Sequence, residues 1–203
     1  MPPLPDDALT FRQLTIDDVP LLHAWLHRPH VAEWWGGQDT LEEVREYCAE
    51  LIQPDSRDRG FIVLDGGTPI GYIQSYVVMN GAASADVGSP RDPTSQRWLV
   101  GPRSGSDAAS SKEARWWPDE RDPGARGIDQ FIADDTRLGR GLGTAMVRAF
   151  VDRLFEDPAV TTVQVDPDPS NARAIRCYEK AGFKRVREVV TPDGPALLMV
   201  RTR

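Results

Sequence analysis

Apolar and polar positions alternate from Leu9 to Leu14, the period of a half-buried strand. Thr15 follows as a helix cap, and Val19, Leu22, Trp25 and Leu26 then fall on one face of a helix that Pro29 ends. Glu33-Trp34-Trp35-Gly36-Gly37 reads as a tryptophan pair running into a flexible turn. Thr40 with Glu43 three residues on is a capping box, so a second helix runs through Leu51. Phe61 to Leu64, the turn Asp65-Gly66-Gly67, and Ile70 to Val78 predict an antiparallel hairpin. Tyr72, Gln74 and Tyr76 share one face of its second arm.

The pattern resumes with an apolar strand, Ile128 to Ala133, entered through Arg126 and Gly127. A turn with glycines at alternate positions (Gly139, Gly141, Gly143) leads into a helix bearing Met146, Val147, Phe150 and Val151, ending near Phe155. Thr161 to Val165 is a β-branched strand, and Ala172 to Ala181 is helical with Gly182 as its closing glycine. Val186 to Val190 and Ala196 to Val200 make a last hairpin. Strands on both sides of helices predict a mixed α/β sheet.

Residues 80–112 break the pattern. Seven Ser, five Ala, four Gly and three Pro in that stretch leave too little apolar surface to order it alone, with Trp98-Leu99-Val100 the sole tether. We read it as a flexible insertion into a single domain spanning 1–203. The net charge of −7 argues against nonspecific nucleic-acid binding and favours small cationic partners. No apolar run is long enough to span a bilayer. Cys48 and Cys177 form no disulfide framework, and reduced thiols in a cytoplasm are the expectation. His23 and His27 share a helix face with no carboxylate ligand pattern beside them, so a metal is not expected.

Two stretches carry chemistry. Glycines before a helix start let backbone N–H groups approach a phosphate, with Arg137 and Arg140 adding charge. The turn lacks Gly-Lys-Ser/Thr and G-x-G-x-x-G, so it is neither a P-loop nor a dinucleotide fingerprint. Asp129 sits in an otherwise apolar strand, where a carboxylate is costly to bury; the bland alternative is a salt bridge to Arg126.

The stretch Arg137 to Gly143, followed by Ser170-Asn171-Ala172-Arg173-Ala174-Ile175-Arg176-Cys177-Tyr178-Glu179-Lys180-Ala181-Gly182-Phe183, resembles the GCN5-related N-acetyltransferases, the GNAT superfamily. Glu33 to Gly37, Tyr72 to Tyr76, Arg126 to Gln130 and Thr191-Pro192-Asp193-Gly194-Pro195 narrow the resemblance to the aminoglycoside 6′-N-acetyltransferases. Leu138 stands where the superfamily motif has Gln or Arg, with Arg137 one place earlier, so cradling of a phosphate rests on backbone N–H groups.

The resemblance implies an α+β fold with a mixed, mostly antiparallel sheet flanked by helices. It implies acetyl-CoA as cosubstrate with no metal, and an aminoglycoside as acceptor in a cytoplasmic monomer or homodimer that engages neither nucleic acid nor membrane. Asp129 is then the base or orienter of the amine, and Tyr178 the acid for the departing thiolate. Cys177 points elsewhere and has no nucleophilic role. Gln130, Ile132, Arg137, Leu138, Gly139, Arg140, Gly141, Leu142, Gly143, Thr144, Asn171 and Tyr178 fall to acetyl-CoA. Trp34, Trp35, Gln74, Tyr76, Trp117, Glu120, Asp129, Asp166 and Asp193 fall to the acceptor, with Asp119, Asp122 and Asp168 near the same cleft. The competing readings are acetylation of a polyamine or siderophore precursor, and an acyl-CoA sensor without turnover. The sensor needs neither Asp129 nor Tyr178.

Overall fold

The structure, a computed structural model, describes residues 9–36, 39–78, 120–191 and 194–203. Its strands are β1 (Leu9–Gln13), β2 (Arg59–Asp65), β3 (Thr68–Val77), β4 (Ala125–Ile132), β5 (Thr162–Val165), β6 (Lys184–Thr191) and β7 (Gly194–Thr202). The helices are α1 (Val19–Leu26), α2 (Pro29–Trp35), α3 (Leu41–Leu51), α4 (Leu142–Leu154) and α5 (Ala172–Lys180). The strands form one sheet in the order β1-β2-β3-β4-β5-β7-β6. Neighbours are antiparallel except β4 with β5, so the sheet is mixed and mostly antiparallel as expected.

The parallel contact is short. Ala125, Arg126 and Gly127 pair with Thr162, Val163 and Gln164, and there it stops. Beyond Gly127 the two strands part, and the β5 side of Ile128–Ile132 has no ladder partner among the described residues. This parting positions the site.

Side chains of β4 alternate between two cores. Ile128 and Ile132 join the layer under α4 and α5, with Met146, Val147, Phe150, Ile175 and Tyr178. Phe131 joins the other layer, under α1, α2 and α3, with Leu22, Trp25, Val31, Val44 and Tyr72. Asp129 lies two residues from Phe131 and therefore projects to the same side of the sheet as those three helices. The capping box that starts α3 is present: Thr40 N donates to Glu43 Oε2 at 2.7 Å, and Glu43 N to Thr40 Oγ1 at 3.3 Å.

Two local expectations change. Pro29 ends α1 but also begins α2, because proline at the first helical position lacks an N–H that would be unpaired there anyway. The tryptophan pair is therefore helical. Thr15 opens a single 3₁₀ turn, Ile16–Asp18, and Asp18 closes back on it at 2.9 Å to the Thr15 amide while bonding Arg12. The insertion at 80–112, Trp117, Asp119 and Asp193 lie outside the described residues. No helix among those described is long and apolar enough to cross a membrane.

Candidate active site

Antiparallel register sets the floor of the site. Tyr72, Gln74 and Tyr76 of β3 stand opposite Phe131, Asp129 and Gly127 of β4. Gln74 Nε2 donates to Asp129 Oδ2 at 3.0 Å. Burial pushes the Asp129 carboxyl up to about 6, and the Gln74 hydrogen bond is the smaller, opposing effect. The salt bridge to Arg126 is not formed; Arg126 Nη1 donates instead to the carbonyls of Pro123 and Ala125, each at 2.9 Å.

Gly127 makes room for the Tyr76 ring. A Cβ at residue 127 would lie 2.1 Å from Tyr76 Cζ, far inside contact distance. Gly127→Ala is therefore expected to displace Tyr76 and to destabilise the fold by about 1–3 kcal/mol in urea titrations. Adding Tyr76→Ala should recover part of the loss, a non-additivity that identifies the clash as the cause. An unchanged midpoint for the single variant would refute it.

A cavity of about 420 Å³ opens above this floor. Trp34, Trp35 and His30 of α2, Asp129 to Ile132 of β4, and Asp166 to Asp168 beyond β5 line part of it. Trp35 is held edge-on by Tyr72 and Phe131, with ring centroids 6.1 and 5.0 Å away, so the missed helix α2 supplies a fixed aromatic wall. Arg28 Nη1 donates to the Ala133 carbonyl at 2.6 Å, and His30 Nε2 lies 3.0 Å from the Ile132 carbonyl, tying α2 to the end of β4.

The glycine turn forms the far end of the cavity, where Arg137, Leu138, Gly139, Gly141, Gly143 and Thr144 all line it. Gly139 and Gly141 are left-handed, at φ 73° and 86°, and a Cβ at either would meet nothing within 4 Å. That open space lies before the N-terminus of α4, where first-turn amides lack intrahelical partners. The cradle fits a phosphate. Leu142 turns into the core instead, Arg140 is exposed and away from the lining, and Arg137 is ion-paired with Asp65.

Tyr178 comes from the other face of the sheet. It is 6% exposed and lines the cavity where β4 and β5 part. Burial pushes its phenol well above the usual value, Asp129 and Cys177 add to this, and a hydrogen bond with Gln130 opposes it. Asn171 also lines the cavity, with Oδ1 accepting from the Ala174 amide at 3.0 Å as the cap of α5. Cys177 does not point elsewhere as expected. It lines the same cavity, 3.7 Å from Thr144 Oγ1, because α4 and α5 pack there. Burial raises its thiol, which disfavours the thiolate.

The acidic set divides. Asp129, Asp166 and Asp168 line the cavity. Glu120 is bonded to Gln164 Nε2 and to the amides of Arg121 and Asp122, and Asp122 is bonded to Gly124 and Thr161. Sequence reasoning missed Arg173, Arg176 and Lys180, which line the cavity from α5. Their spacing of three and four residues was the available signal, a cationic stripe along one helix face.

The site joins a carboxylate and a phenol at a parted pair of strands beside a phosphate cradle, and the chain belongs to the GNAT acetyltransferases. The profile described as "Acetyltransferase (GNAT) domain" matches residues 15–191. The chain is 44% identical over 201 residues to the "Aminoglycoside N(6')-acetyltransferase type 1" of Klebsiella pneumoniae, covering 98% of this chain and 85% of that one. It is 63% identical over 92 residues to a "Kanamycin resistance protein" of Rhizobium radiobacter, covering 45% of this chain and 85% of that one. The crystal structure of aminoglycoside acetyltransferase AAC(6')-Ib with coenzyme A and kanamycin superposes with a TM-score of 0.74 at 44% identity, covering 96% of this chain and 95% of that one.

Proposed function

We infer that this protein transfers the acetyl group of acetyl-CoA to the 6′ amine of aminoglycosides and so confers resistance to them. The observation that carries the chemistry is the placement of Asp129 and Tyr178 on opposite faces of the sheet, both lining one cavity where β4 and β5 part. The regiochemistry follows from the near full-length similarity to 6′ enzymes.

Acetyl-CoA supplies an acetyl group activated as a thioester. The glycine turn and the first amides of α4 would hold its pyrophosphate, aided by Arg173, Arg176 and Lys180. The β5 side of β4 from Ile128 to Ile132, which includes Gln130 and has no ladder partner among the described residues, offers amide and carbonyl groups to its extended amide chain. Asp129 removes the proton from the attacking ammonium. An ordinary Asp, near ~3.9, is a weak base for that task, and desolvation to about 6 makes it a better one. Tyr178 is held protonated by burial and donates to the departing thiolate, whose thiol lies near ~8.5.

Trp34 and Trp35 cover the apolar faces of the sugar rings, while Asp166 and Asp168 meet ammonium groups. Gln74 and Tyr76 belong to the floor beneath that acceptor. Trp117 and Asp193 complete the acceptor set on this reading. We place the enzyme in the cytoplasm, beside the acetyl-CoA pool, as a monomer or homodimer.

Mass spectrometry and NMR of the kanamycin product test the reading. A single acetyl group on the 6′ nitrogen is expected. Acetate on another nitrogen refutes the regiochemistry, and brisk turnover of spermidine without acetylation of kanamycin refutes the substrate class.

A further inference from the structure

Gln74 is 2% exposed, and its amide joins a chain of bonds that ends on Asp129. Its Oε1 accepts two phenol hydroxyls, from Tyr47 of α3 and from Tyr72 of β3, the second at 2.8 Å. Those bonds use both lone pairs of the carbonyl oxygen. Its Nε2 then faces Asp129 Oδ2 at 3.0 Å. A flipped amide would set its oxygen against the carboxylate of Asp129, which only accepts. The carboxylate therefore fixes the orientation, and the two hydroxyls donate to the carbonyl oxygen that it leaves facing them.

We propose that Tyr47, Tyr72 and Gln74 are positioning residues for Asp129, two hydroxyls locking the amide so that its NH₂ group holds one carboxylate oxygen and leaves the other to the acceptor amine. The proposal rests on the reading of Asp129 as the group that takes the amine's proton. A purely structural network would not need to end on the carboxylate of Asp129 at the cavity floor. Tyr72 is 1% exposed and packs against Phe131 and Trp35, so the same aromatic cluster that forms the acceptor wall also fixes the hydroxyl end of the relay. Gly60 keeps this end open: a Cβ there would stand 2.8 Å from the Tyr72 hydroxyl.

The relay has a signature in pH. Donation from Gln74 favours the charged carboxylate, opposing the burial that disfavours it. Removing the donor leaves burial unopposed, so the acidic limb of kcat/KM moves to higher pH. The other titratable groups around Asp129 are Tyr76 of β3, Tyr178 of α5, Asp166 beyond β5 and His30 of α2, with Arg173, Arg176 and Lys180 along the α5 wall. All of them remain in the variants below.

The experiment compares kcat/KM for kanamycin from pH 5 to pH 9 in the full-length enzyme and in Gln74→Met, Tyr47→Phe and Asp129→Asn. Gln74→Met is expected to move the acidic limb up by about one pH unit, the scale of one hydrogen bond to a charged group. Tyr47→Phe is expected to move it less, in the same direction, with acetyl-CoA affinity unchanged. Tyr47 is half-buried and loses one oxygen, so this variant decides the matter if Gln74→Met does not fold. An acidic limb superimposable on the wild type overturns the proposal, as does a uniform loss at every pH, which marks a structural role. If Asp129→Asn is inactive while the limb stays fixed in the other two, the relay fails and the base reading stands. If Asp129→Asn is fully active, both fail.

Discussion

Asp129→Asn will lower kcat for kanamycin acetylation by a factor of about 10²–10⁴, the range for removing a general base, and will at the same time stabilise the fold at neutral pH. The two effects share one cause. The folded-state pKa of about 6 lies above the ordinary 3.8, because burial disfavours the charge more than Gln74 favours it. Between those values the folded protein binds more protons at this site than the unfolded chain does. Stability contributed by Asp129 therefore falls as pH rises through that window, and above about pH 6 the whole cost of the buried charge is present. A shift of this size corresponds to about 3 kcal/mol, and asparagine, the neutral isostere, removes it while still accepting from Gln74.

The expected gain is several degrees in Tm at pH 7.5, at roughly 2–4 °C per kcal/mol for a chain of this length. It should shrink toward zero as the pH falls below the ordinary value of 3.8, where the wild-type carboxyl is protonated in both states. Thermal melts at the two pH values and steady-state kinetics check both halves. A variant that keeps full kcat, or one less stable than the wild type at pH 7.5, contradicts the argument.

Gly141→Asp is expected to raise the dissociation constant for acetyl-CoA at least ~100-fold with little change in the fold. Aspartate before a helix usually stabilises it, but that requires an extended backbone. Gly141 sits instead at φ 86°, where a residue with a Cβ is strained by about 1–2 kcal/mol. Apart from its two chain neighbours, no atom of the described residues lies within 4 Å of the added Cβ, so packing leaves room for the side chain. The carboxylate would occupy the positive end of α4 and the open space before it, the place proposed for the pyrophosphate. Titration calorimetry with acetyl-CoA measures the effect, and unchanged affinity in a folded variant would sink the assignment of the cradle.

What could be read from the sequence was local or periodic. The capping box of Thr40 and Glu43 lies within one turn, and the alternation of Tyr72, Gln74 and Tyr76 needs no partner to be seen. The glycine turn showed itself by residues that alone adopt left-handed backbone cheaply, and Asp129 by the cost of a carboxylate in an apolar strand. Proline misled at Pro29, since the same ring that ends one helix is favoured at the start of the next.

Tertiary structure decided everything that depends on who stands opposite whom. Register between β3 and β4 gave Asp129 its partner in Gln74 rather than Arg126. Packing of α3 on the sheet brought the Tyr47 hydroxyl to the same amide from 27 residues away. The approach of α4 to α5 turned Cys177 into the cavity, and the loop before β4 drew Glu120 onto Gln164. A side chain's neighbours along the chain fix its conformation and its face. Its charge state and hydrogen-bond partner depend on distant segments and on how much water they exclude, which spacing in sequence does not encode.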